Sequence, residues 1–249
     1  MWTQWLIVLL YFAALAGLAL WGIHRLVLLR WLRANPRALR TNQPFTPPVL
    51  VQLPVFNEPA VITRIIDAAA QLDWPHLTIQ VLDDSTDETT RLASARVSFW
   101  ASKGVKITHI HRHDRTGFKA GALAHGLHFD HAPFVAIFDA DFIPPADFLK
   151  RMMTSLSDEQ VGMVQARWGH INRDQNTLTR LESLILDGHF VIEHTARYRR
   201  QCFFNFNGTA GIWRRQCIEE AGGWAHETVT EDLDLSYRAQ LKGWQFVYR

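Results

Sequence analysis

From Trp5 to Ile23 the chain runs for nineteen residues without a charge. As a helix that stretch would extend roughly 28 Å, about the thickness of bilayer hydrocarbon, so the pattern predicts a membrane span. Four of the ten tryptophans (Trp2, Trp5, Trp21, Trp31) lie near its ends, where an amphipathic ring favours the headgroup layer. Ala14-Leu-Ala16 has the look of a cleavage tripeptide, but the uncharged start MWTQ and the length of the apolar run fit a retained anchor better than a removed signal. Pro36, Pro44, Pro47 and Pro48 then mark an irregular linker. The expected plan is an anchor with a basic flank over 1–33, a linker over 34–48 and a folded body over 49–249.

Within the body, apolar runs alternate with helical periodicity. Val49 to Val55 is an apolar run interrupted only by Gln52, the signature of a strand buried on both faces. Val61, Ile62, Ile65, Ile66, Ala69 and Leu72 recur at helical spacing, and Asp73-Trp-Pro75 ends that helix. Strands are expected again over 77–82, 105–110 and 134–138, separated by helices over 88–102 and 119–127, with a last strand over 245–248. This βαβαβαβ order predicts an α/β fold with a mostly parallel, doubly wound sheet, whose carboxyl strand ends form the ligand crevice.

With 48% apolar and 20% charged residues, disordered and low-complexity classes are excluded. The net charge of +2 hides an asymmetry. Arg25, Arg30, Arg33, Arg37 and Arg40 precede the first acidic residue, Glu58, so residues 1–57 carry +5 and the remainder, with 21 basic against 24 acidic side chains, −3. Positive charge packed behind an apolar span predicts a membrane partner, with the N-terminus outside and the body in the cytoplasm, and argues against nucleic acid. Two cysteines, Cys202 and Cys217, are too few for a disulfide framework and read as free thiols.

Three expected strands end in polar clusters: Asn57-Glu58, Asp83-Asp84, and Asp139 with Asp141. Carboxylates gathered at one sheet edge repel one another unless a cation or ligand compensates, so a divalent metal is expected. Asp139 and Asp141, two apart after a buried strand, fit Mg²⁺, which takes one or two protein carboxylates plus substrate phosphates. The basic segment 111–121 precedes a helix, and Lys119 between Gly117 and Gly121 would favour phosphate. Thr230 as N-cap would put Asp232 in the first turn of a C-terminal helix, an arrangement that serves a cap as well as a site.

Seven blocks in order resemble the family 2 glycosyltransferases of the cellulose-synthase-like group: PVFNEP (54–59), VLDDSTDET (81–89), GFKAGAL (117–123), FDAD (138–141), VQARW (164–168), FNGTAGIWR (206–214) and TEDLDLSYR (230–238). The resemblance implies a GT-A type, Rossmann-like, mostly parallel sheet flanked by helices and preceded by one transmembrane helix. It also implies inverting, metal-dependent transfer of a hexose from a nucleotide-diphosphate sugar, UDP- or GDP-linked, to a β-linked polysaccharide, with Mg²⁺ or Mn²⁺. By that resemblance Phe56, Glu58, Asp83 or Asp84, Lys119, Asp139 and Asp141 serve the nucleotide sugar, Asp139 and Asp141 also holding the metal. Gln165, Trp168, Asn207, Gly208 and Glu231 fall on the acceptor side, although Gln165 and Trp168 also read as plain strand residues. Asp232 matches the catalytic base.

Family synthases continue to a Gln-x-x-Arg-Trp motif and further membrane helices, and that motif does not occur in these 249 residues. The expectation is therefore a fragment of a longer synthase. The alternatives are a single-addition transferase with a glycolipid acceptor, a non-catalytic assembly partner, and a phosphatase using Asp139-Ala-Asp141, for which the motif stands on the wrong strand.

Overall fold

Residues Trp2–Trp31 form one helix, α1, in a computed structural model that describes residues 2–41, 44–228 and 230–249. It contains the whole expected span, continues from Ile23 to Trp31, and is long and apolar enough to cross a membrane, with its most apolar stretch entirely unburied. Asn42 and Gln43 of the expected linker lie outside the described residues.

Contacts divide the chain into two units, Met1–Arg37 with Gly169–Cys202, and Ala38–Trp168 with Phe203–Arg249. In this division Gly169–Cys202 is grouped with the N-terminal helix and the rest of the body forms the larger unit.

The larger unit opens with β1 (Val49–Val55), α2 (Ile62–Ala70), β2 (Leu77–Asp83), α3 (Thr89–Ser102), β3 (Ile107–His111), α4 (Phe118–Leu127) and β4 (Phe134–Ile137). After α5 (Phe148–Met153) and β5 (Val161–Gln165) the chain passes through α6 (Thr177–Asp187), a π-helical turn Gly188–His194 and α7 (Thr195–Arg199) of the other unit. It returns with β6 (Gly211–Arg214), α8 (Arg215–Glu220), α9 (Glu231–Leu241) and β7 (Gln245–Tyr248). The strand expected from Val105 begins at Ile107 instead, because Gly104 at φ +87° turns α3 back and the Val105 N–H is taken by Trp100 O at 3.2 Å. Thr230 stands at the N-cap position of α9, but its side chain makes no cap hydrogen bond, which corrects that part of the sequence reading.

The seven strands form one sheet in the order β3-β2-β1-β4-β6-β5-β7. β1 to β4 are parallel, β6 runs against both β4 and β5, and β7 is parallel to β5. Only β6 is reversed, so the segments leaving β1, β2, β4 and β5 and the segment entering β6 emerge along one sheet edge. The core is continuous along β1 and β4, where Val49, Leu50, Val51, Leu53, Val135, Ala136 and Ile137 are fully buried. Buried amides also tie α4 to the sheet. Gln52 Nε2 donates to Gln80 Oε1 (3.2 Å) and Leu123 O (3.3 Å), and Gln80 Nε2 donates to Gly126 O (3.0 Å). A Cβ on Gly126 would lie 2.5 Å from Gln52 Nε2, so only glycine lets the helix come this close. This clamp fixes α4, and with it Lys119 in its first turn.

Candidate active site

The site assembles around the turn that enters β6. Gly208 takes φ +75° and Ala210 φ +56°, left-handed geometry that lets the turn fold back over the end of β4. Gln165, at the end of β5, holds the turn from one side. Its Nε2 donates to Thr209 O (3.0 Å) and Ala166 O (2.9 Å), and its Oε1 accepts the Asn207 N–H (3.0 Å). Helix α9 holds the preceding segment from the other side. Ser236 Oγ accepts the Phe206 N–H (2.8 Å), while Gln240 accepts from Phe204 N (3.2 Å) and donates to Phe204 O (2.9 Å). Thr209 Oγ1 in turn accepts the Asp139 N–H at 2.9 Å, locking the end of β4 to the same turn.

Three chemically active groups meet over Gly208. Lys119 Nζ donates to Gly208 O at 3.0 Å and forms an ion pair with Asp139 Oδ1. A methyl placed on Gly208 would sit 3.3 Å from Lys119 Nζ, 3.5 Å from Asp232 Oδ2 and 3.9 Å from Asp139 Oδ2. Residues from α4, the β4 end, the β6 turn and the N-terminus of α9 thus converge at one point. Asp232 lies in the first turn of α9, where the helix end favours a negative charge.

A cavity of about 290 Å³ opens beside them, lined by Phe56, Glu58, Asp84, Lys119, Asp139 and Asp141 among others. Partial burial pushes the Glu58 carboxyl above its usual range, and the charges of Asp141 and Asp139 push it further. Asp139 is also raised, by burial first, with Lys119 opposing and Asp141 and Asp232 adding to the rise. Glu231 is raised chiefly by burial. Acids held against their own repulsion mark a place prepared for positive charge. Among the described residues no three His, Cys, Asp or Glu side chains form a ready-made metal cage. Asp139 and Asp141 supply two hard oxygen donors in the cavity, which fits a Mg²⁺-type ion that draws its other ligands from phosphate and water.

A second cavity of about 520 Å³ shares Phe56, Asp84 and Arg115 with the first and adds Thr86, Asp87, His111 and His113. The two aspartates left unresolved in sequence take different places. Asp84 lines both cavities and is gripped by Arg112 through a bidentate pair, Nε to Oδ1 at 2.7 Å and Nη2 to Oδ2 at 2.5 Å. Asp83 is completely buried beneath, accepting from Ser85 N (2.9 Å) and bonded to His109 Nε2 (2.9 Å) and His111 Nδ1 (3.1 Å). Burial acts to raise its pKa, but the hydrogen bonds from His109 and Ser85 outweigh that and hold it well below the carboxylate range.

Of the other expected residues, Gln165 is fully buried, its side chain bonded to the turn. Trp168 lies beyond the end of β5, half-exposed. Asn207 is half-buried, its Oδ1 accepting from Asn205 Nδ2 at 3.2 Å. Arg115 and Ser236 went unrecognised individually. The Arg115 guanidinium stacks 3.3 Å from the Phe56 ring centroid, beside one of the residues expected to serve the nucleotide sugar. The basic run 111–121 was its only signal, and Ser236 had none.

The pattern of the family described as "Glycosyltransferase like family 2" matches residues 47–249. A glucomannan 4-beta-mannosyltransferase of Arabidopsis thaliana is 48% identical over 209 residues, covering 81% of this chain and 39% of the relative. One from Oryza sativa subsp. japonica is 47% identical over 212 residues, with 81% and 40% covered. The chain thus spans about two fifths of the length of these curated relatives. Among solved structures, the mannosyltransferase PcManGT of Pyrobaculum calidifontis, in complex with GDP-Man and Mn²⁺, aligns with a TM-score of 0.72 and 23% identity over 91% of this chain and 61% of that one. TarS of S. aureus aligns with a TM-score of 0.58 and 16% identity over 81% and 35%. Those likenesses show the GT-A type fold, and the pattern match with the plant relatives shows the family: the chain belongs to the family 2 glycosyltransferases, in their cellulose-synthase-like group.

Proposed function

We propose that this chain is the catalytic part of a membrane-anchored, inverting synthase that transfers a hexose from a nucleotide-diphosphate sugar to a growing β-linked polysaccharide. The convergence of Lys119, Asp139 and Asp232 over Gly208, beside a cavity holding Glu58 and Asp141, is the observation that carries the reading. Identity of 48% to glucomannan 4-beta-mannosyltransferases supports mannose as the sugar.

An acceptor hydroxyl is a poor nucleophile, and a carboxylate that takes its proton during attack speeds transfer by ~10²–10⁴-fold. Asp232 fills that role from the first turn of α9, beside Lys119 and Asp139. Lys119, held by Asp139 and Gly208 O, places a fixed positive charge where the departing diphosphate develops its own. Asp139 and Asp141 would hold Mg²⁺ or Mn²⁺, which when bound neutralises charge on that leaving group. Attack opposite the diphosphate inverts the anomeric centre. The uncharged stretch from Trp5 to Ile23 of α1, followed by five arginines, anchors the enzyme with its N-terminus outside and the catalytic unit in the cytoplasm.

Three variants test the roles. Asp232→Asn is expected to abolish transfer while nucleotide affinity survives. Asp139→Ala and Asp141→Ala are expected to lose the Mg²⁺-dependent part of nucleotide binding. Titration of each with GDP and UDP, with and without Mg²⁺, reads the difference, and equal metal-dependent affinity in all three removes the assignment. Turnover of a panel of GDP- and UDP-sugars by the membrane-embedded chain identifies the donor.

A further inference from the structure

The first turn of a helix favours negative charge, yet α4 opens with Lys119 and carries no acidic residue there. What holds this cation lies outside its own helix. The ammonium donates to Gly208 O at 3.0 Å and is ion-paired with Asp139 Oδ1. Both partners are fixed in turn: Gln165 bonds the Gly208 turn through Asn207 N and Thr209 O, and Thr209 Oγ1 accepts the Asp139 N–H at 2.9 Å. The Lys119 and Asp139 side chains are 27% and 36% exposed, so the pair is partly screened by water and open to a stronger ligand.

Lys119 also serves more acids than the one it touches. Its charge opposes the upward shift of Glu58, Asp139 and Glu231 alike, each of which burial pushes above the usual carboxylate range. Asp141 adds to the rise at Glu58 and Asp139, and Asp232 to the rise at Asp139 and Glu231. Arg115 lines the same cavity, but its guanidinium stacks on the Phe56 ring. Asp139 therefore has two suitors, the Lys119 ammonium and the divalent ion that it would hold with Asp141. One carboxylate oxygen cannot serve both at full strength, and a dication beside an ammonium is repelled. A diphosphate resolves the conflict, because it offers oxygens to the metal and an anionic acceptor to the N–H that Asp139 releases.

We propose that Lys119 competes with the divalent cation for Asp139, so that the metal binds weakly by itself and tightly only together with a nucleoside diphosphate. The inference rests on the reading of Asp139 and Asp141 as metal ligands. Asp139 exchanges the ammonium for the metal as the nucleotide binds, while Lys119, still bonded to Gly208 O, turns the freed N–H to the diphosphate. An ammonium has three donors, so both bonds are available to it. The coupling is reciprocal: the metal raises nucleotide affinity by the factor by which the nucleotide raises metal affinity.

Titration of the detergent-solubilised chain with Mn²⁺, the free ion being read by electron paramagnetic resonance, tests this without turnover. Binding that survives in Asp141→Ala is subtracted as belonging to other places. Lys119→Gln is expected to bind Mn²⁺ alone about 3–10-fold more tightly than the parent, and Lys119→Arg, which keeps the charge, to bind it as weakly as the parent. Lys119→Met, a second neutral variant, should match Lys119→Gln, with circular dichroism reading the fold of each. In GDP and UDP titrations the gain in nucleotide affinity caused by Mn²⁺ should be several-fold smaller in the neutral variants than in the parent. Unchanged or weaker binding of Mn²⁺ alone in both neutral variants refutes the competition, and is what a lysine that only contacts the diphosphate would give. In that case Mn²⁺-dependent nucleotide binding by the parent leaves the metal reading standing. If Mn²⁺ does not strengthen GDP or UDP binding in the parent, the metal reading and this inference are removed together.

Discussion

Gly208 and Asp83 show how single positions set this site. A side chain on Gly208 would meet Lys119, Asp232 and Asp139 at 3.3, 3.5 and 3.9 Å and would have to adopt φ +75°. Gly208→Ala is therefore expected to keep the fold, read by circular dichroism, and to lower kcat by about 10² or more, since small displacements of reacting groups are costly. Asp83 works through stability. Its folded pKa is depressed, so the stability it contributes is fully present above the ordinary carboxylate value of about 3.9 and is lost as pH falls through the lowered one. Asp83→Asn should cost about 1–3 kcal/mol near pH 6, by leaving His109 and His111 without their carboxylate. Thermal melts of the detergent-solubilised chain should show the gap to the parent shrinking below pH ~4. The sequence marked Asp83 and Asp84 as a pair, but their separation into one buried and one cavity-lining acid depends on His109, His111 and Arg112, brought in by the neighbouring strand and the loop beyond it.

At the scale of elements, the parallel half of the sheet was legible because β1 and β4 are buried on both faces and read as apolar runs, interrupted in β1 only by Gln52. The other half was less so. β6 is four residues long, and its reversed direction follows from pairing with β4 and β5, which no local pattern encodes. The role of α9 was legible only in Asp232; its attachment was not, because Ser236 bonds a segment thirty residues away. Ser236 Oγ donates to Asp232 O at 2.5 Å and accepts the Phe206 N–H, so it joins the helix carrying the proposed base to the segment leading into the Gly208 turn. Ser236→Ala leaves a buried N–H unpaired and should cost about 1–3 kcal/mol. As a positioning residue it should lower kcat several-fold while the nucleotide Kd holds, whereas a purely structural role would move both together. Ser236→Thr, which keeps the hydroxyl, should restore part of kcat.

For the whole molecule, the proposed orientation in the membrane rests on charge. Residues 1–4 carry no charged side chain, Arg25, Arg30, Arg33, Arg37 and Arg40 follow the uncharged stretch, and short flanking segments rich in Lys and Arg stay on the cytoplasmic side. Under the proposed function a catalytic unit on that side meets nucleotide sugars bearing a diphosphate, so the proposed anchor and the proposed active site require the same orientation. In sealed, right-side-out membrane vesicles an epitope added before Trp2 should be removed by external protease, while one added after Arg249 should be protected until the vesicles are opened. Replacing Arg30, Arg33, Arg37 and Arg40 by Gln and adding lysines before Trp2 should reverse the pattern for a fraction of molecules, and those molecules should lose turnover of a donor supplied from the cytoplasmic side. Arg25 is left in place because it pairs with Glu193, so its loss would disturb packing as well as charge. If protection of the two epitopes stays unchanged when the charges are exchanged, orientation is set by something other than the arginine bias. If the N-terminal epitope of the parent chain is the protected one, the catalytic unit lies outside and the proposed access to cytoplasmic donor is refuted.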